Sequence, residues 1–290
     1  MKKLLLILLC LPMIGFGQLT MVPDAIFELR LINLGYDTLP VNGSVPTANI
    51  ETITFLATDG LNIYDLTGIE DFIDLTHLQC TDNPLTTLDV SNNTALGWLR
   101  CENNQLTTLD VSNNLSYLDC NNNQLTTFDV SNNLYYLDCN NNQLATLDVS
   151  GAAALTELVC SSNYIECLDI SNNTALENLE CNDNLLEQLN TKNGNWQDMT
   201  VIANDNNLTC VEVDNIGVAT NDWDFDSFAT FSTNCNYTSL CATVSAIQEH
   251  TTNKELLKVT DLLGRETKQT NQPLFYIYDD GTVEKRIVIE

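Results

Sequence analysis

The chain has 290 residues, of which 39 are Asp or Glu and 11 are Lys or Arg, so its formal net charge is −28 at pH 7. This charge excludes nucleic acid as a partner, because binding to phosphates requires clustered Lys and Arg side chains. The length fits one elongated array or one or two ordinary domains.

Residues 1–17 have the pattern of a secretory signal peptide. Two lysines near the start are followed by an apolar run over residues 4–11 and by small residues at alternate positions. The apolar run is shorter than the ~20 residues that a membrane span requires. We therefore predict cleavage between Gly17 and Gln18 and export of the mature chain.

Residues 18–49 are predicted to form an N-terminal cap. Pro23 and Asp24 are helix-start signals and Gly35 is a natural stop, so we expect a helix over residues 22–35. The apolar residues expected on one side of this helix are Ile26, Phe27, Leu31 and Leu34. A stack of repeated units leaves an apolar end, which a helix of this kind can cover.

Residues 50–189 carry a repeat of 19 or 21 residues built on the frame Leu-x-x-Leu-x-Cys-x-x-Asn-x-Leu. The segment from Leu96 to Leu106 is one example, and residues 50–75 contain degenerate units such as Ile50-x-x-Ile53-x-Phe55. The cysteines of the frame are Cys80, Cys101, Cys120, Cys139, Cys160 and Cys181. A fixed period of this length predicts a solenoid, in which each unit buries its apolar side against its neighbours.

A second half-unit with the frame Leu-x-x-Leu-x-Val-x-x-Asn, such as Leu85 to Asn93, interleaves with the first. Each coil is therefore expected to contain two extended segments joined by Asn-rich turns. The 19-residue coils arise because Thr94-Ala95 has no counterpart before Leu115 or Leu134. A deletion in a turn is tolerated because the extended segments stay in register.

The leucines and cysteines of the frame are expected to point inward and to form one continuous core, with Cys packed as a small hydrophobe. We favour free thiols over ladder disulfides, whose parallel Cβ directions are awkward, and over a metal site, which needs converging ligands. The frame asparagines are expected to be structural, because an inward amide can satisfy turn backbone groups. They are Asn83, Asn104, Asn123, Asn142, Asn163 and Asn184.

A column of aspartates recurs in the second half-units at Asp89, Asp110, Asp129, Asp148 and Asp169. We interpret it as a solvated face, on which the repulsion between neighbouring carboxylates is small in water. The alternative is a line of Ca²⁺ ions that would make stability calcium-dependent, although one carboxylate per coil is few for such an ion.

Outward positions of the Cys-bearing segments are the candidate binding surface. The column before the second Leu of the frame reads His77, Trp98, Tyr117, Tyr136, Glu157 and Asn178, and the column beside it reads Gln79, Arg100, Asp119, Asp138, Val159 and Glu180. Aromatic side chains with a polar tip are frequent anchors in protein and sugar recognition. The hypothesised ligand-binding residues are His77, Trp98, Arg100, Tyr117 and Tyr136. The alternative is that the aromatic residues only stabilise a β surface by packing together.

Catalysis finds little support in the sequence. Its two histidines, His77 and His250, stand in no catalytic motif, and no nucleophile elbow or phosphate loop is present. We predict a protein that is not an enzyme and that has no cofactor and no metal site.

Residues 190–241 are expected to form the last coil and a C-terminal cap. Cys210 and Cys235 bracket this cap and are predicted to form a disulfide, which an exported chain allows. Cys167 and Cys241 have no assigned partner. Residues 242–290 are predicted to be a small β region, with an Asp-Gly hairpin turn at residues 279–281.

The frame of the repeat and the following Leu-Asp-Val-Ser-Asn-Asn resemble bacterial leucine-rich repeat proteins of the internalin-like type over residues 50–210. The segment Val22-Pro23-Asp24-x-x-Phe27-Glu28 resembles the N-terminal cap of exported members. The resemblance implies a β-rich, right-handed solenoid with little helix, which binds proteins and often serves adhesion.

The tail, with Asp261-Leu-Leu-Gly264-Arg265 followed by Tyr276-Ile-Tyr278, is similar to a C-terminal sorting domain of type IX secretion. That resemblance implies transport by the secretion machinery. The chain departs from the family in two respects. The usual opening strand is missing, and the last residues are Ile289-Glu290, where the family favours a Lys near the end.

These observations predict a secreted or cell-surface leucine-rich repeat protein, monomeric, that binds an unknown protein or a surface glycan. The alternative is a structural coat or matrix component that self-associates or gathers calcium.

Overall fold

The computed structural model describes residues 17–237, 241, 256–260, 273–278 and 283–287. The chain divides into two compact units, Met1–Cys241 and Ala242–Glu290. The predicted signal peptide before Gly17 and the predicted turn at residues 279–281 lie outside the described residues.

The first unit begins with a small cap. Strand β1 (Leu19–Met21) pairs antiparallel with β2 (Ser44–Pro46), and helix α1 (Ala25–Asn33) lies between them in the chain. The helix begins where the Asp24 carboxylate accepts hydrogen bonds from the backbone N–H groups of Ile26 and Phe27. The helix is therefore shorter than the predicted range of residues 22–35, because its first residue follows the capping Asp24.

The apolar side of α1 is narrower than the sequence suggested. Phe27 and Leu31 are fully buried and join the core, whereas Ile26 and Leu34 are exposed. Glu28 is also fully buried, and its carboxylate accepts hydrogen bonds from the N–H groups of Asn42 and Gly43, both at 2.6 Å. These bonds compensate for burial of the carboxyl group and fasten the loop before β2 to the helix.

The solenoid follows, with short 3₁₀ turns at Thr47–Asn49 and Ile69–Asp71. Its strands are β3 (Phe55–Ala57), β4 (His77–Gln79), β5 (Thr87–Asp89), β6 (Trp98–Arg100), β7 (Thr108–Asp110), β8 (Tyr117–Asp119), β9 (Tyr136–Asp138), β10 (Glu157–Val159), β11 (Cys167–Asp169), β12 (Asn178–Glu180), β13 (Gln188–Asn190), β14 (Thr200–Ile202), β15 (Cys210–Glu212) and β16 (Thr230–Ser232).

The strands form a β-solenoid, which confirms the predicted fold. The Cys-bearing segments build an eight-stranded parallel sheet in the order β14-β12-β10-β9-β8-β6-β4-β3. The second half-units build what we call the opposite side, with the pair β5-β7 and the four-stranded sheet β11-β13-β15-β16. Neighbouring coils pair in register, so that the central Leu118 of β8 lies beside Leu99 of β6 and Leu137 of β9.

The core runs through the stacked coils as one cluster, from Val22 in the cap to Trp223 near the other end. Frame leucines such as Leu99, Leu118 and Leu137 are fully buried. Each contributes on the order of 2 kcal/mol by removal of its side chain from water. These leucines come from the inward face of the strand in every coil. The residues on the outward face of the same strand therefore remain available at the surface.

A bend follows each frame cysteine, and its backbone explains the polar residues there. The residue two positions after the cysteine has a positive φ, as in Asn103 (57°), Asn122 (54°) and Asn141 (52°). Asn and Asp occupy this left-handed region more easily than most residues.

The 19-residue coils differ from the frame on the opposite side. Asn93 of a 21-residue coil is fully buried and its Nδ2 donates to the carbonyl oxygens of Ile69 and Phe72. In the shorter coils this inward place belongs to Ser112 and Ser131, whereas the sequence frame assigned it to Asn114 and Asn133, which are exposed. The two-residue deletion therefore changes which polar residue of the turn points inward, from asparagine to serine.

The end of the solenoid is closed by helix α2 (Ile216–Asp222), strand β16 and Trp223. The Trp223 indole is largely buried, and its Nε1 donates to the Met199 carbonyl oxygen at 3.0 Å. Burial of this large side chain with its N–H satisfied covers the last coil.

The described residues of the second unit form three antiparallel strands in sheet order, β17 (Leu256–Thr260), β18 (Pro273–Tyr278) and β19 (Val283–Ile287). Within it, Ile277 of β18 pairs with Val283 of β19.

Candidate binding surface

Four aromatic side chains stand in line across the eight-stranded sheet. His77, Trp98, Tyr117 and Tyr136 are the first residues of β4, β6, β8 and β9, and they pair in register. The ring centroids are 5.3 Å apart for His77 and Trp98, 4.9 Å for Trp98 and Tyr117, and 4.3 Å for Tyr117 and Tyr136. Each coil contributes one residue to this line, so the parallel strands bring together four residues that span 59 positions of the sequence from first to last. We call them the aromatic column.

The aromatic column is open to solvent on one side. Trp98 is 37% exposed, and Tyr117 and Tyr136 are half-buried because each ring covers its neighbour. Phe55 pairs in register with His77 and is 53% exposed, so it extends the same surface by one coil. The repeat frame had placed Phe55 at the inward position of the cysteine, but the degenerate coil is shifted by three residues. Leu56 pairs with Leu78, and the buried Thr58 takes the place of the cysteine.

The column beside the aromatic one is less exposed than its outward direction suggested. Asp119 and Asp138 are only 7% and 8% exposed. The Asn121 Nδ2 donates to Asp119 Oδ1 at 2.7 Å and lies 3.2 Å from Asp138 Oδ2, while Asn140 Nδ2 donates to Asp138 Oδ1 at 2.8 Å. These amides lie against the two carboxylates, which the sequence pattern of single residues does not reveal.

The environment of these two aspartates favours their protonated form. Burial, together with the nearby carboxylates of Glu102 and Asp138, raises the pKa of Asp119 to about 7. Burial also raises the pKa of Asp138, although hydrogen bonds from Asn140 and Asn121 act in the other direction. Desolvation and like charges both disfavour a charged carboxylate.

Arg100, the hypothesised cationic residue of the site, is engaged within the surface. It is half-buried and forms an ion pair with Glu102. Glu102 itself is 7% exposed, and its second carboxylate oxygen accepts no hydrogen bond from the described residues.

The frame asparagines form a ladder that holds successive coils together. Asn123 is typical: its Nδ2 donates to the carbonyl oxygens of Cys101 and Cys120, both at 3.0 Å, and its Oδ1 accepts from the Leu106 N–H at 2.9 Å. The same pattern holds at Asn104, Asn142, Asn163 and Asn184. It also extends one coil further, to Asn206, where Ala203 replaces the cysteine and so hides the repeat.

The six frame cysteines are free and buried, and none of them pairs along the ladder. Burial raises the pKa of the Cys120 and Cys139 thiols well above their usual value. A thiol of this kind is unreactive as a nucleophile, because the thiolate is the reactive form. The ladder therefore fills the core.

Some aspartates of the opposite side accept hydrogen bonds from serine residues in the turns that follow them. Asp89 Oδ1 accepts from the N–H and the hydroxyl of Ser91, and Asp148 Oδ1 accepts from the Ser150 N–H. The hydrogen bonds from Ser150 lower the pKa of Asp148. Within the described residues, no group of three or more His, Cys, Asp or Glu side chains is arranged to hold a metal ion.

Two disulfides lie at the C-terminal end of the opposite side. Cys210 and Cys235 are bonded with a Cα–Cα distance of 5.9 Å, as the sequence suggested. Cys167 and Cys241, which the sequence left unassigned, are bonded with a Cα–Cα distance of 5.3 Å. Their 74-residue separation carries no local signal of pairing. None of the described helices has the length and apolar character needed to traverse a bilayer.

The structure has the leucine-rich repeat fold, and its solved neighbours are bacterial proteins of that fold. The functional domain of InlJ from Listeria monocytogenes, described as including a cysteine ladder, is 28% identical with a TM-score of 0.52. The match covers 73% of this chain but only 62% of the InlJ domain.

Two further neighbours show the fold alone. The internalin InlF from Listeria monocytogenes is 20% identical, with coverage of 73% of this chain and 71% of its own and a TM-score of 0.55. A leucine-rich repeat protein of Leptospira interrogans is 24% identical, with coverage of 68% and 54% and a TM-score of 0.55. No protein-family model and no curated protein sequence matches this chain.

Proposed function

We propose that this chain is a secreted or outer-surface binding protein whose main contact with its partner is the aromatic column. The observation that carries the proposal is the row of four rings at 4.3–5.3 Å, open on the surface of the eight-stranded sheet. Stacked repeats create an extended face for contact with a partner. Large aromatic side chains on such a face supply most of the binding energy in many interfaces.

The partner is proposed to be a protein or a surface glycan, and the chain is proposed to act as a monomer without enzymatic activity. Tyrosine and tryptophan suit both partners, because each combines an apolar ring with a polar tip. Mutual packing of the rings also stabilises the sheet, so the two roles must be separated by experiment.

Export is supported by two independent features of the chain. The N-terminal residues have the pattern of a signal peptide, and the two disulfides suit an oxidising compartment. The resemblance of the tail to a sorting domain adds the type IX machinery as a proposed partner in secretion. Adhesion is the proposed biological use of the binding surface.

The test compares two triple variants of the full-length protein on the same sheet. The first replaces Trp98, Tyr117 and Tyr136 by Ala, and the matched control replaces Glu157, Asn178 and Thr200, which continue the same column on β10, β12 and β14. A partner is first captured from cell-surface extract and identified, and its affinity for each variant is then measured by calorimetry.

The aromatic variant should weaken binding by about 100-fold or more, which is the effect of losing several anchors. The control should change affinity by less than about threefold, as peripheral contacts do. Unchanged affinity in a correctly folded aromatic variant would contradict the proposal. A second variant, Tyr136→Arg, keeps the bulk of the side chain and guards against a loss that reflects misfolding.

A further inference from the structure

The surface beside the aromatic column holds more negative than positive charge. Asp119 and Asp138 are register partners on β8 and β9, two residues along each strand from Tyr117 and Tyr136. The side chains that donate hydrogen bonds to their carboxylates are the neutral amides of Asn121 and Asn140. Amides lower the cost of burying these groups but do not cancel their charge.

The rest of the repeat region offers little compensation. Between Glu51 and Glu187 the sequence has 21 acidic residues and a single basic one, Arg100. The guanidinium of Arg100 is already paired with Glu102 in the coil before Asp119.

Glu102 adds a third carboxylate to this surface. It is 7% exposed and pairs with Arg100, and within the described residues neither its Oε2 nor the Arg100 Nε has a hydrogen-bond partner. The Glu102–Arg100 pair is therefore incompletely satisfied, whereas buried polar groups are ordinarily hydrogen-bonded. Glu102 acts on the pKa of Asp119, which places the two carboxylates in one electrostatic cluster.

We propose that this surface receives an arginine side chain of a partner protein, with its stem on the rims of Tyr117 and Tyr136 and its guanidinium at Asp119 and Asp138. The inference rests on the proposed function and names the chemistry of its partner. The guanidinium is planar, has five N–H donors and is weakly hydrated, so it can bridge two carboxylates at a modest desolvation cost. Its stem packs well on aromatic surface.

A divalent cation fits the same surface less well. Calcium takes six to eight oxygen ligands, and the described residues contain no cluster arranged to hold a metal. A neutral peptide would leave the carboxylates buried and uncompensated, which is unfavourable.

The arrangement makes arginine binding depend on pH. A cation at this site favours the ionised form of Asp119, so binding releases a proton where Asp119 is protonated in the free protein. Binding should therefore strengthen as the pH rises towards about 7, which is the pKa that burial and neighbouring carboxylates give Asp119, and should level off above it. The titratable or charged groups that act on Asp119 and Asp138 are Arg100, Glu102, Tyr117, Tyr136 and Glu180.

The experiment uses two short peptides as probes and the full-length protein. One is acetyl-Gly-Arg-Gly-amide, and the other carries citrulline, which keeps the shape of arginine but not its charge. Binding is followed by NMR through the ring resonances of Tyr117 and Tyr136, at about 0.15 M salt to suppress long-range attraction. The arginine peptide should bind at least about tenfold more tightly than the citrulline peptide, a ratio typical of a lost charge-assisted bond.

Matched variants separate a local site from the general acidity of the chain. Asp119→Asn/Asp138→Asn removes the proposed site, and Asp129→Asn/Asp148→Asn removes the same charge from the opposite side of the same region. The first pair should abolish the preference for arginine, and the second should leave it within about twofold, since exposed charges at this salt act weakly. Equal losses in both pairs, or equal binding of the two peptides, would overturn the inference.

The pH dependence supplies a further check. It should persist in a His77→Gln variant, because His77 lies two coils away from Asp119. Loss of the pH dependence in that variant would assign it to the histidine and overturn its attribution to Asp119.

The outcome also distinguishes this inference from the proposed function. If the captured partner is lost from the aromatic triple variant but kept by Asp119→Asn/Asp138→Asn, the aromatic surface stands and the arginine is rejected. If both variants keep the partner, both proposals fall.

Discussion

The two sides of the solenoid are built from nearly the same repeat, but only one of them has a strand in every coil. The eight-stranded sheet has a strand in every coil from β3 to β14, whereas the opposite side has none in the described residues between Asp110 and Cys167. The leucines do not explain this difference, since Leu125, Leu134 and Leu144 in the irregular stretch are as fully buried as those elsewhere.

The hydrogen bonding at the turns also differs between the two sides. In the ladder of the eight-stranded sheet, both ends of each amide are used, and the hydrogen bonds join consecutive coils. On the opposite side, Ser112, Ser131 and Ala152 take the inward turn position in three successive coils, and of these only the coil of Ser112 has a strand on this side, β7. Serine has one donor and alanine none, so they fix the backbone bend less completely than asparagine does. Burial of leucine builds the core, and the asparagine ladder adds hydrogen bonds between coils on the side where every coil has a strand.

The largest expected effect concerns the disulfides, which occur only on the opposite side among the described cysteines. Cys167→Ala/Cys241→Ala opens a closed loop of 74 residues and should lower the free energy of unfolding by about 4 kcal/mol, mainly through the entropy of the unfolded chain. Urea denaturation measures this loss. Dithiothreitol reduces both disulfides and should destabilise the wild type by more than this amount, whereas the double variant, which keeps only Cys210–Cys235, should be less affected. Equal sensitivity would contradict the assignment.

The second prediction compares the two kinds of turn within one coil. Asn123→Ala removes an amide that serves Cys101, Cys120 and Leu106 and should cost about 3 kcal/mol, because several buried backbone groups lose their partners. Ser131→Ala, on the opposite side, should cost about 1 kcal/mol, since only one donor is lost. Equal losses in urea denaturation would contradict the larger contribution assigned to the asparagine ladder.

Much of the fold could be predicted because the repeat fixes which side chains point inward. The period of the leucines, cysteines and asparagines identified the solenoid, and the paired columns on its surface followed from that register. The roles of Ser112 and Ser131 could not be predicted in this way. They depend on how a two-residue deletion shifts the turn beneath the next leucine.

The candidate site was predictable only in outline. The alignment of Trp98, Tyr117 and Tyr136 could be predicted because they occupy the same position of the repeat in successive coils. The burial of Asp119 and Asp138 could not, because the hydrogen bonds of their carboxylates with Asn121 and Asn140 depend on the path of the bend after each strand. The Cys167–Cys241 bond was hidden for a similar reason, since its partners are brought together only by the path of the C-terminal cap.

The third prediction concerns the pH dependence of stability on the eight-stranded sheet. The pKa of Asp119 in the folded protein is raised to about 7, above the value of about 4 in an unfolded chain. Ionisation therefore costs stability: the wild type is least affected below about pH 4 and loses stability as the pH rises to about 7.

Asp119→Asn removes this cost and should raise the melting temperature above neutral pH while matching the wild type in acid. The control is Asp129→Asn, whose aspartate is exposed on the opposite side. Its difference from the wild type should not follow this pH profile. A melting temperature of Asp119→Asn that is lower than that of the wild type at pH values above about 7 would contradict the sign of the effect.

The smallest expected effect is that of calcium on the exposed aspartates of the opposite side, for which we expect the melting temperature to be the same in calcium and in chelator. The Asp89 and Asp148 carboxylates are each engaged by serine groups of their own turns, and an ion that takes six to eight oxygens would have to displace those bonds. Differential scanning calorimetry measures the shift, and size-exclusion chromatography under both conditions measures assembly. A rise with calcium that disappears in Asp110→Asn/Asp129→Asn, together with assembly into a polymer, would favour a calcium-dependent coat over a monomeric binding protein.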